Sequence, residues 1–513
     1  FRRRVDRCMR FVAARVDVTE ATMRCPFPPV RATCRVRAFV AACACALAAC
    51  TTVGPDYVAP RPAHPPGWSA PRDTVTADPA QLQDWWRAFG DAQLDALVEQ
   101  AIAHNQDLAI ARQRLLQARA ERDQIASRLG PTVTAGGNAD ALRSSRALEW
   151  PPGIGQSRTY RLGFDASWEL DLFGGTRRAV ESADAQIDAL DDDRHAILVS
   201  LLAELASDYA ELRATQERLR IATDNVASLD ATRQLTERSN RRGLGTSFAV
   251  AQARAELQLA QAAVPPLQQD VARLAHAIGV LVGGFPETLR DSLSAPGATL
   301  PVAPALPVTL PSDVIRERPD IRAAERRLAA ATAQIGVARA EQFPHFAIPL
   351  SLGTTASLVQ DLFSGASVAW SVALDGTQTL YDGGRAKAGV DAARAAAEAA
   401  RLAYEQRIRG AFRDVEDALV AIGAARDQQA MLAAAVDSSQ DAQSRATRLY
   451  RNGLGEYLSV LTAQRATYRA RDALALSRLA QVQGAIALYK SLGVGWRAAP
   501  PVAQAGAAQA SAH

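Results

Sequence analysis

The chain has 513 residues, of which 48% are hydrophobic, 22% charged and only 6% aromatic. Its longest uncharged apolar run, Ala38 to Ala49, is shorter than the roughly 20 residues that a transmembrane helix needs, which excludes a polytopic helical membrane protein. Residues 1–49 hold ten of the 58 basic and three of the 54 acidic residues, which leaves 48 basic and 51 acidic residues. No basic domain remains, so nucleic acid is not an expected partner.

The N-terminal segment has the organisation of an export signal. Met23 is the predicted start, several arginines follow it, and the apolar run 38–49 comes next. The run ends in Leu-Ala-Ala-Cys, which resembles a bacterial lipobox, in which the cysteine (here Cys50) is acylated and becomes the first mature residue. Simple cleavage with an incidental Cys50 is the alternative. No cysteine lies beyond residue 50, so the rest of the chain can form neither a disulfide nor a thiolate metal site.

The remainder of the chain contains an internal sequence duplication. Asp107 matches Asp320 at an offset of 213, and the sequence Gly-Leu-Gly at 243–245 returns at 453–455, an offset of 210. A period near 210 is too long for a solenoid and indicates a duplicated domain-sized unit. We therefore predict a presequence over 1–49, an extended strap over 50–85, a first repeat over 86–300, a second repeat over 301–495 and a disordered tail over 496–513.

Helical periodicity dominates both repeats. A helix is predicted over 94–129, and two stretches, 176–242 and 386–452, run with few or no breaks. Each of these two would be about 100 Å long at 1.5 Å per residue. Their apolar positions are mostly Ala with scattered Leu, which suits close packing in a coiled coil. Pro265 and Pro266 are expected to end one helix and start a shorter one.

Four segments instead alternate apolar and polar residues with a period of two, near 132–143, 158–171, 345–357 and 366–380. Their length and two-faced character match membrane-barrel strands. Four strands cannot close a barrel, and open sheet edges are not tolerated in lipid, so several copies must pool them. Three copies would form a twelve-strand barrel, and the same copies would pool the long helices into a tube.

This architecture resembles the TolC-type outer membrane factors, in particular the OprM/NodT-like lipoprotein branch that serves efflux pumps. The matching motifs are GPDY at 54–57, DWWRAFGDAQLDALVEQAIAHNQDL at 84–108, DLFGGTRR at 171–178, LPSDVIRERPDIRAAE at 310–325, LYDGGRAKAG at 380–389 and RNGLGEYLSVLTAQ at 451–464. The resemblance implies a homotrimer in which a twelve-strand outer membrane β-barrel continues into a long periplasmic α-helical barrel. It also implies a periplasmic adaptor (membrane fusion protein), an inner-membrane pump of the RND type and contact with outer membrane lipid. The subunit would be a passive exit duct for drugs and other small toxic compounds, with no catalytic residue, cofactor or metal.

Two groups of residues are candidate functional sites. The adaptor-docking tip is predicted at the two glycine turns, formed by Gly243, Leu244, Gly245, Thr246, Gly453, Leu454, Gly455 and Glu456. The periplasmic aperture is assigned by resemblance to Tyr450, Arg448, Arg451, Ser459 and Thr462. Ser459 and Thr462 stand where the founding family member has an aspartate pair, so the carboxylate ring is missing at those positions. Arg448 and Arg451 are expected to pair with acids of a neighbouring helix, with Glu237 one candidate.

The sequence is also compatible with other functions. The same family includes outlets of type I secretion and heavy-metal export systems. A lipid-anchored periplasmic coiled-coil scaffold without a pore is an alternative of another class, against which the alternating strands argue. The consecutive residues Asp191, Asp192 and Asp193 are expected to be a solvated helix face rather than a metal cluster.

Overall fold

The computed structural model describes residues 52–63, 65–68, 82–143, 145, 147, 155–294, 299–304 and 311–498. These residues belong to one compact unit that begins at Thr52. The predicted presequence, Cys50 and most of the predicted disordered tail lie outside the described residues.

The helices follow the predicted order of the two repeats. Their bounds are α1 Ala92–His104, α2 Gln106–Ala126, α3 Gly175–Arg241, α4 Ser247–Ala262, α5 Val264–Leu281, α6 Arg290–Leu293, α7 Pro311–Glu317, α8 Pro319–Ala340, α9 Arg385–Arg451 and α10 Tyr457–Leu492, with short 3-10 segments at Trp85–Phe89, Ser127–Leu129, Val359–Phe363, Gly365–Ser367 and Trp496–Ala498. Among the described residues, no helix combines the length and the apolar character that crossing a membrane requires.

The two long helices, α3 and α9, are each 67 residues long, within one residue of the predicted bounds. Each begins after a glycine in the left-handed region, Gly174 at φ +78° and Gly384 at φ +91°. Glycine adopts this conformation at no steric cost, which allows the chain to turn sharply from strand into helix. Gly389, Gly410 and Gly423 do not interrupt α9. The restart at the proline pair is also confirmed, since α4 ends at Ala262 and α5 carries Pro265 in its first turn, but α5, at 18 residues, is longer than the 16-residue α4 and not shorter as predicted.

The predicted helix over 94–129 is instead two helices. The chain breaks at Asn105, whose backbone is extended and whose side-chain oxygen accepts the N–H groups of Asp107 and Leu108. An asparagine in this position satisfies the free N–H groups of a new helix, and this local bond competes with helix continuation. Asn105 also donates to the carbonyl of Leu281 at 2.9 Å, which fixes the break against α5.

Helix α3 is central to the packing and contacts α2, α4, α5, α8 and α10. The core at its middle combines both repeats, because Leu94 and Leu97 of α1 belong to the same buried cluster as Tyr489 of α10, on which Trp85 also stacks with ring centroids 5.0 Å apart. The aspartate triplet is not a solvated face. Asp192 is buried and lies 3.1 Å from Arg322 of α8, and Asp193 pairs with Arg327 of the same helix. Helix α8 covers this face of α3, which the α3 sequence by itself does not reveal.

The strands form one antiparallel sheet with the order β1-β2-β3-β4, where β1 is Thr132–Arg143, β2 Gln156–Leu170, β3 His345–Ala356 and β4 Val368–Val372. The strand predicted over 366–380 is divided, and its second part, β5 (Asp375–Thr377), also pairs with β3. Strands β2 and β3 come from different repeats, so the hairpins of the two repeats join into a single sheet. Strands β1 and β4 lie at its ends.

Candidate functional site

The two glycine turns have the same hydrogen-bonding pattern. In the first, the N–H of Gly243 donates to Asn240 O at 2.9 Å, and that of Leu244 donates to Ser239 O at 3.0 Å. In the second, Gly453 donates to Tyr450 O at 3.1 Å and Leu454 to Leu449 O at 2.9 Å. These are the bonds of a Schellman-type helix end. The repeat offset of 210 therefore holds in the local geometry as well as in the sequence.

The two glycines of each turn have different roles. Gly243 and Gly453 have φ of +77° and +75°, the left-handed region that other residues rarely adopt. Gly245 and Gly455 lie against the preceding helix end: a Cβ on Gly245 would lie 3.3 Å from Asn240 N, and one on Gly455 would lie 3.2 Å from Leu449 Cβ. The first pair makes the reversal and the second permits close packing after it.

Large apolar side chains project from both turns. Leu244 is 80% exposed and Leu454 76% exposed, and Phe248 and Leu458 are also exposed at the starts of α4 and α10. Exposed apolar groups of this size, grouped at one place, indicate a protein interaction surface. The next residue of each hairpin differs, because Thr246 caps α4 through Ala249 N at 3.2 Å whereas the Glu456 side chain caps nothing.

The ends of the helices that carry the two turns are in contact. The hydroxyl of Tyr450, at the end of α9, donates to Thr236 Oγ1 near the end of α3 at 3.2 Å. The Tyr450 ring also packs edge-on against Tyr457 at 6.2 Å, beside a small apolar cluster of Leu229, Ala253, Leu257, Tyr457 and Leu461. Burial there raises the pKa of Tyr457 to about 12.

Within one chain Glu237 does not pair with Arg448 or Arg451, so this prediction is wrong. Its carboxylate accepts from Arg233 at 2.8 Å and from Arg254 of α4 at 2.9 Å. The hydrogen bond from Arg254, and after it the one from Arg233, lowers the pKa of the Glu237 carboxyl. Arg448, Arg451, Ser459 and Thr462 are exposed. Because the two arginines are at the C-terminal end of α9, they face the negative end of the helix dipole favourably.

Sequence reasoning missed the residues that connect the two hairpins. Gln464 of α10 donates to Thr232 Oγ1 of α3 at 2.9 Å and to Ser228 Oγ at 3.0 Å. Arg465 of α10 bonds Glu256 of α4 at 2.9 Å and thereby lowers the pKa of Glu256. The repeat offset of 210 would have aligned Arg465 with Ala255, next to Glu256, but a sequence alignment cannot show which helix faces which.

The opposite end of the long helices carries the sheet, and an extended segment is bound at the junction. Arg178, near the start of α3, is 3% exposed and donates to Val53 O at 3.2 Å and to Asp56 Oδ1 at 2.6 Å. Gly54 passes so close to Gly336 of α8 that a Cβ on Gly54 would lie 2.5 Å from Gly336 Cα. The chain just after Cys50 is therefore fixed at the point where strands become helices.

The sheet has one apolar and one polar face. In β2, Leu162, Phe164 and Trp168 alternate with Gly163, Asp165 and Glu169. Both faces are largely open to solvent in the single chain. Among the described residues, no three His, Cys, Asp or Glu side chains are arranged to hold a metal.

Residues 97–284 and 310–494 match the family of outer membrane efflux proteins. The chain belongs to this family. It is 34% identical over 463 residues to the pyoverdine export outer membrane protein OpmQ of Pseudomonas putida, covering 89% of this chain and 96% of the relative. It is 32% identical to the antibiotic efflux pump outer membrane protein ArpC of Pseudomonas putida, covering 88% and 93%. Among solved structures, the outer-membrane channel OprN superposes with a TM-score of 0.80 at 38% identity, covering 87% of this chain and all of that one.

Membership confirms the fold class predicted from sequence, a mostly α protein with transmembrane β strands built from a duplicated unit. As an outer membrane efflux protein, the chain is the outer membrane channel of an efflux pump. Its sheet lies in the outer membrane, and its long helices extend into the periplasm.

Proposed function

We propose that three copies of this chain assemble into the exit duct of a tripartite pump and that the paired glycine turns dock onto a periplasmic adaptor. The exposed leucines Leu244 and Leu454, one on each of the two turns, carry this proposal. Exposure of two large apolar side chains to water is unfavourable, and burial against a partner removes their apolar surface from solvent.

The trimer is supported by the sheet. Strands β1 and β4 are its end strands, and their unpaired backbone groups require partners within a bilayer. Three four-stranded sheets supply twelve strands, and pooling them joins β1 of one copy to β4 of the next. The duct performs no catalysis; the inner-membrane pump, which we assign to the RND type, supplies the energy.

The transported compounds are proposed to be small organic molecules. The relatives OpmQ and ArpC are named for pyoverdine export and antibiotic efflux, respectively. Type I secretion or heavy-metal export is the alternative within the family. We also propose that Cys50 carries the lipid anchor, because the strap that follows it is fixed at the membrane end of the helices by Arg178.

The docking proposal is tested by charging both turns, with the double substitution Leu244→Asp and Leu454→Asp. The matched control is Phe285→Asp, which alters an equally exposed apolar residue (84%) away from the turns. In a strain that depends on this channel, the double variant is expected to lose drug resistance and cross-linking to the adaptor. The control is expected to retain both, and all proteins are expected to reach the outer membrane as trimers. Full resistance in the double variant would overturn the proposal.

A further inference from the structure

Three glycines lie in one row across the sheet. Gly136 of β1 pairs with Gly163 of β2, which in turn pairs with Gly353 of β3, and the row ends at Ala369 of β4. A Cβ on Gly353 would lie 2.5 Å from Leu162 O, and one on Gly163 would lie 2.9 Å from Leu352 O. Strands β2 and β3 therefore approach each other on the polar face too closely for any side chain.

The opposite, apolar face opens at the same level. Here a cleft of about 610 Å³ is lined by Leu162, Phe164, Leu352 and Val368, with Phe363 of the β3–β4 connection at its rim. Gly137 adds no side chain on this face, and the Leu162 side chain lies over it, where a Cβ on Gly137 would be 2.9 Å from Leu162 Cδ2. The cleft is open along the sheet and is not an enclosed cavity. These side chains are between 43% and 84% exposed in the single chain.

Two arginines lie on the same face nearer the hairpin end. The register places Arg143 opposite Gln156 and Arg158 opposite Ala141, so the two arginines are diagonal neighbours. Both are exposed, and neither has an ion-pair partner among the described residues. Arg158 precedes Leu162 by four residues, about 13 Å along the strand.

This geometry fits a lipid. The hairpin end is the outer end of the sheet, because the helices leave its other end for the periplasm. An arginine on the lipid face is costly at mid-membrane but nearly neutral near the interface, where headgroups begin. Arginine also binds phosphate through two parallel hydrogen bonds.

We propose that the apolar face binds a membrane lipid with a phosphate headgroup, with an acyl chain in the glycine-backed cleft and the phosphate between Arg143 and Arg158. The proposal rests on the membrane placement of the sheet and is independent of adaptor docking. This site differs from general contact with membrane lipid, because the phosphate contacts and the cleft each contribute to retention of the bound lipid.

The test is native mass spectrometry of the detergent-solubilised channel incubated with dioleoyl phosphatidic acid or dioleoylglycerol, which differ only in the phosphate. The wild type is expected to retain phosphatidic acid roughly tenfold better, a preference worth about 1.4 kcal/mol. The double substitution Arg143→Ser and Arg158→Ser is expected to abolish this preference. Arg161→Ser is the matched control, because Arg161 lies between Arg158 and Leu162 on β2 but on the polar face.

The cleft is tested by Gly137→Val, which displaces the Leu162 side chain at the cleft wall, against Ala139→Val, two residues further along the same face. Gly137→Val is expected to reduce retention of both lipids several-fold, and Ala139→Val is expected to leave it unchanged. Equal retention of the two lipids by the wild type would overturn the proposal, as would an effect of Arg161→Ser as large as that of the double variant. Trimer bands on gels confirm that each variant is assembled.

Discussion

The guanidinium of Arg178 donates to the carboxylate of Asp56 at 2.6 Å, yet the two side chains differ sharply in burial, at 4% and 87% exposed. Besides Asp56 and Glu181, Arg178 also bonds the carbonyl oxygens of Val53 and Gly54. Its principal role is therefore to hold the strap backbone, and the pairing with Asp56 is secondary.

Arg178→Met is expected to lower the free energy of unfolding by about 3 kcal/mol, because hydrogen bonds to charged groups contribute roughly 1.5–3 kcal/mol each and buried carbonyls lose their donor. Asp56→Asn is expected to cost less than about 1 kcal/mol, as for other exposed ion pairs. Thermal unfolding and proteolytic release of the strap measure the difference. Equal losses in the two variants would contradict the backbone role.

Gly353→Ala is expected to disrupt the sheet, because its Cβ would lie 2.5 Å from a backbone oxygen that cannot move alone. The expected result is loss of the detergent-resistant trimer at temperatures that the wild type withstands. Thr355→Ala is the control, since it is on the same face of β3 and only removes a side chain. A stable Gly353→Ala trimer would show that β2 and β3 are further apart.

Gly243→Ala should destabilise the first turn by about 1–2 kcal/mol, the usual cost of a left-handed conformation in a residue with a Cβ. Gly245→Ala is expected to cost less, because Gly245 has no positive φ. Its neighbours would need to move by only a few tenths of an ångström to accommodate the new Cβ. Hydrogen exchange at the α3 end reports the local change. The reverse order of effects would contradict the roles assigned to the two glycines.

The stability of the folded protein is expected to depend on pH through Asp208 of α3. Burial, followed by the charges of Glu204 and Glu211 and opposed by Arg273 of α5, raises the pKa of Asp208 to about 6. The folded protein therefore binds more protons than the unfolded chain between about pH 4 and pH 6, and stability falls as the pH rises through this window. Asp208→Asn is expected to raise the melting temperature at pH 7 but not below pH 4. A gain that is the same at both pH values would contradict this assignment.

Periodicity predicted most of the elements. Alternation placed β1 and β3 within a residue of their bounds, since a strand with two unlike faces needs no knowledge of its partners. The absence of breaks predicted both long helices, and the left-handed glycines of the two turns were recognised from the repeat. Asn105 was missed because a cap within a helical pattern depends on one side-chain bond.

The tertiary structure decided what faces what. The burial of Asp192, the engagement of Glu237 by Arg254, the bond between Arg465 and Glu256 and the clamp of Arg178 on the strap all join segments far apart in the chain or on separate helices. The row of glycines at 136, 163 and 353 likewise exists only in the register of three strands. A sequence fixes the period and breaks of each element through local sterics and hydrogen bonding. Pairing across elements is set by packing of whole surfaces, which no single segment encodes.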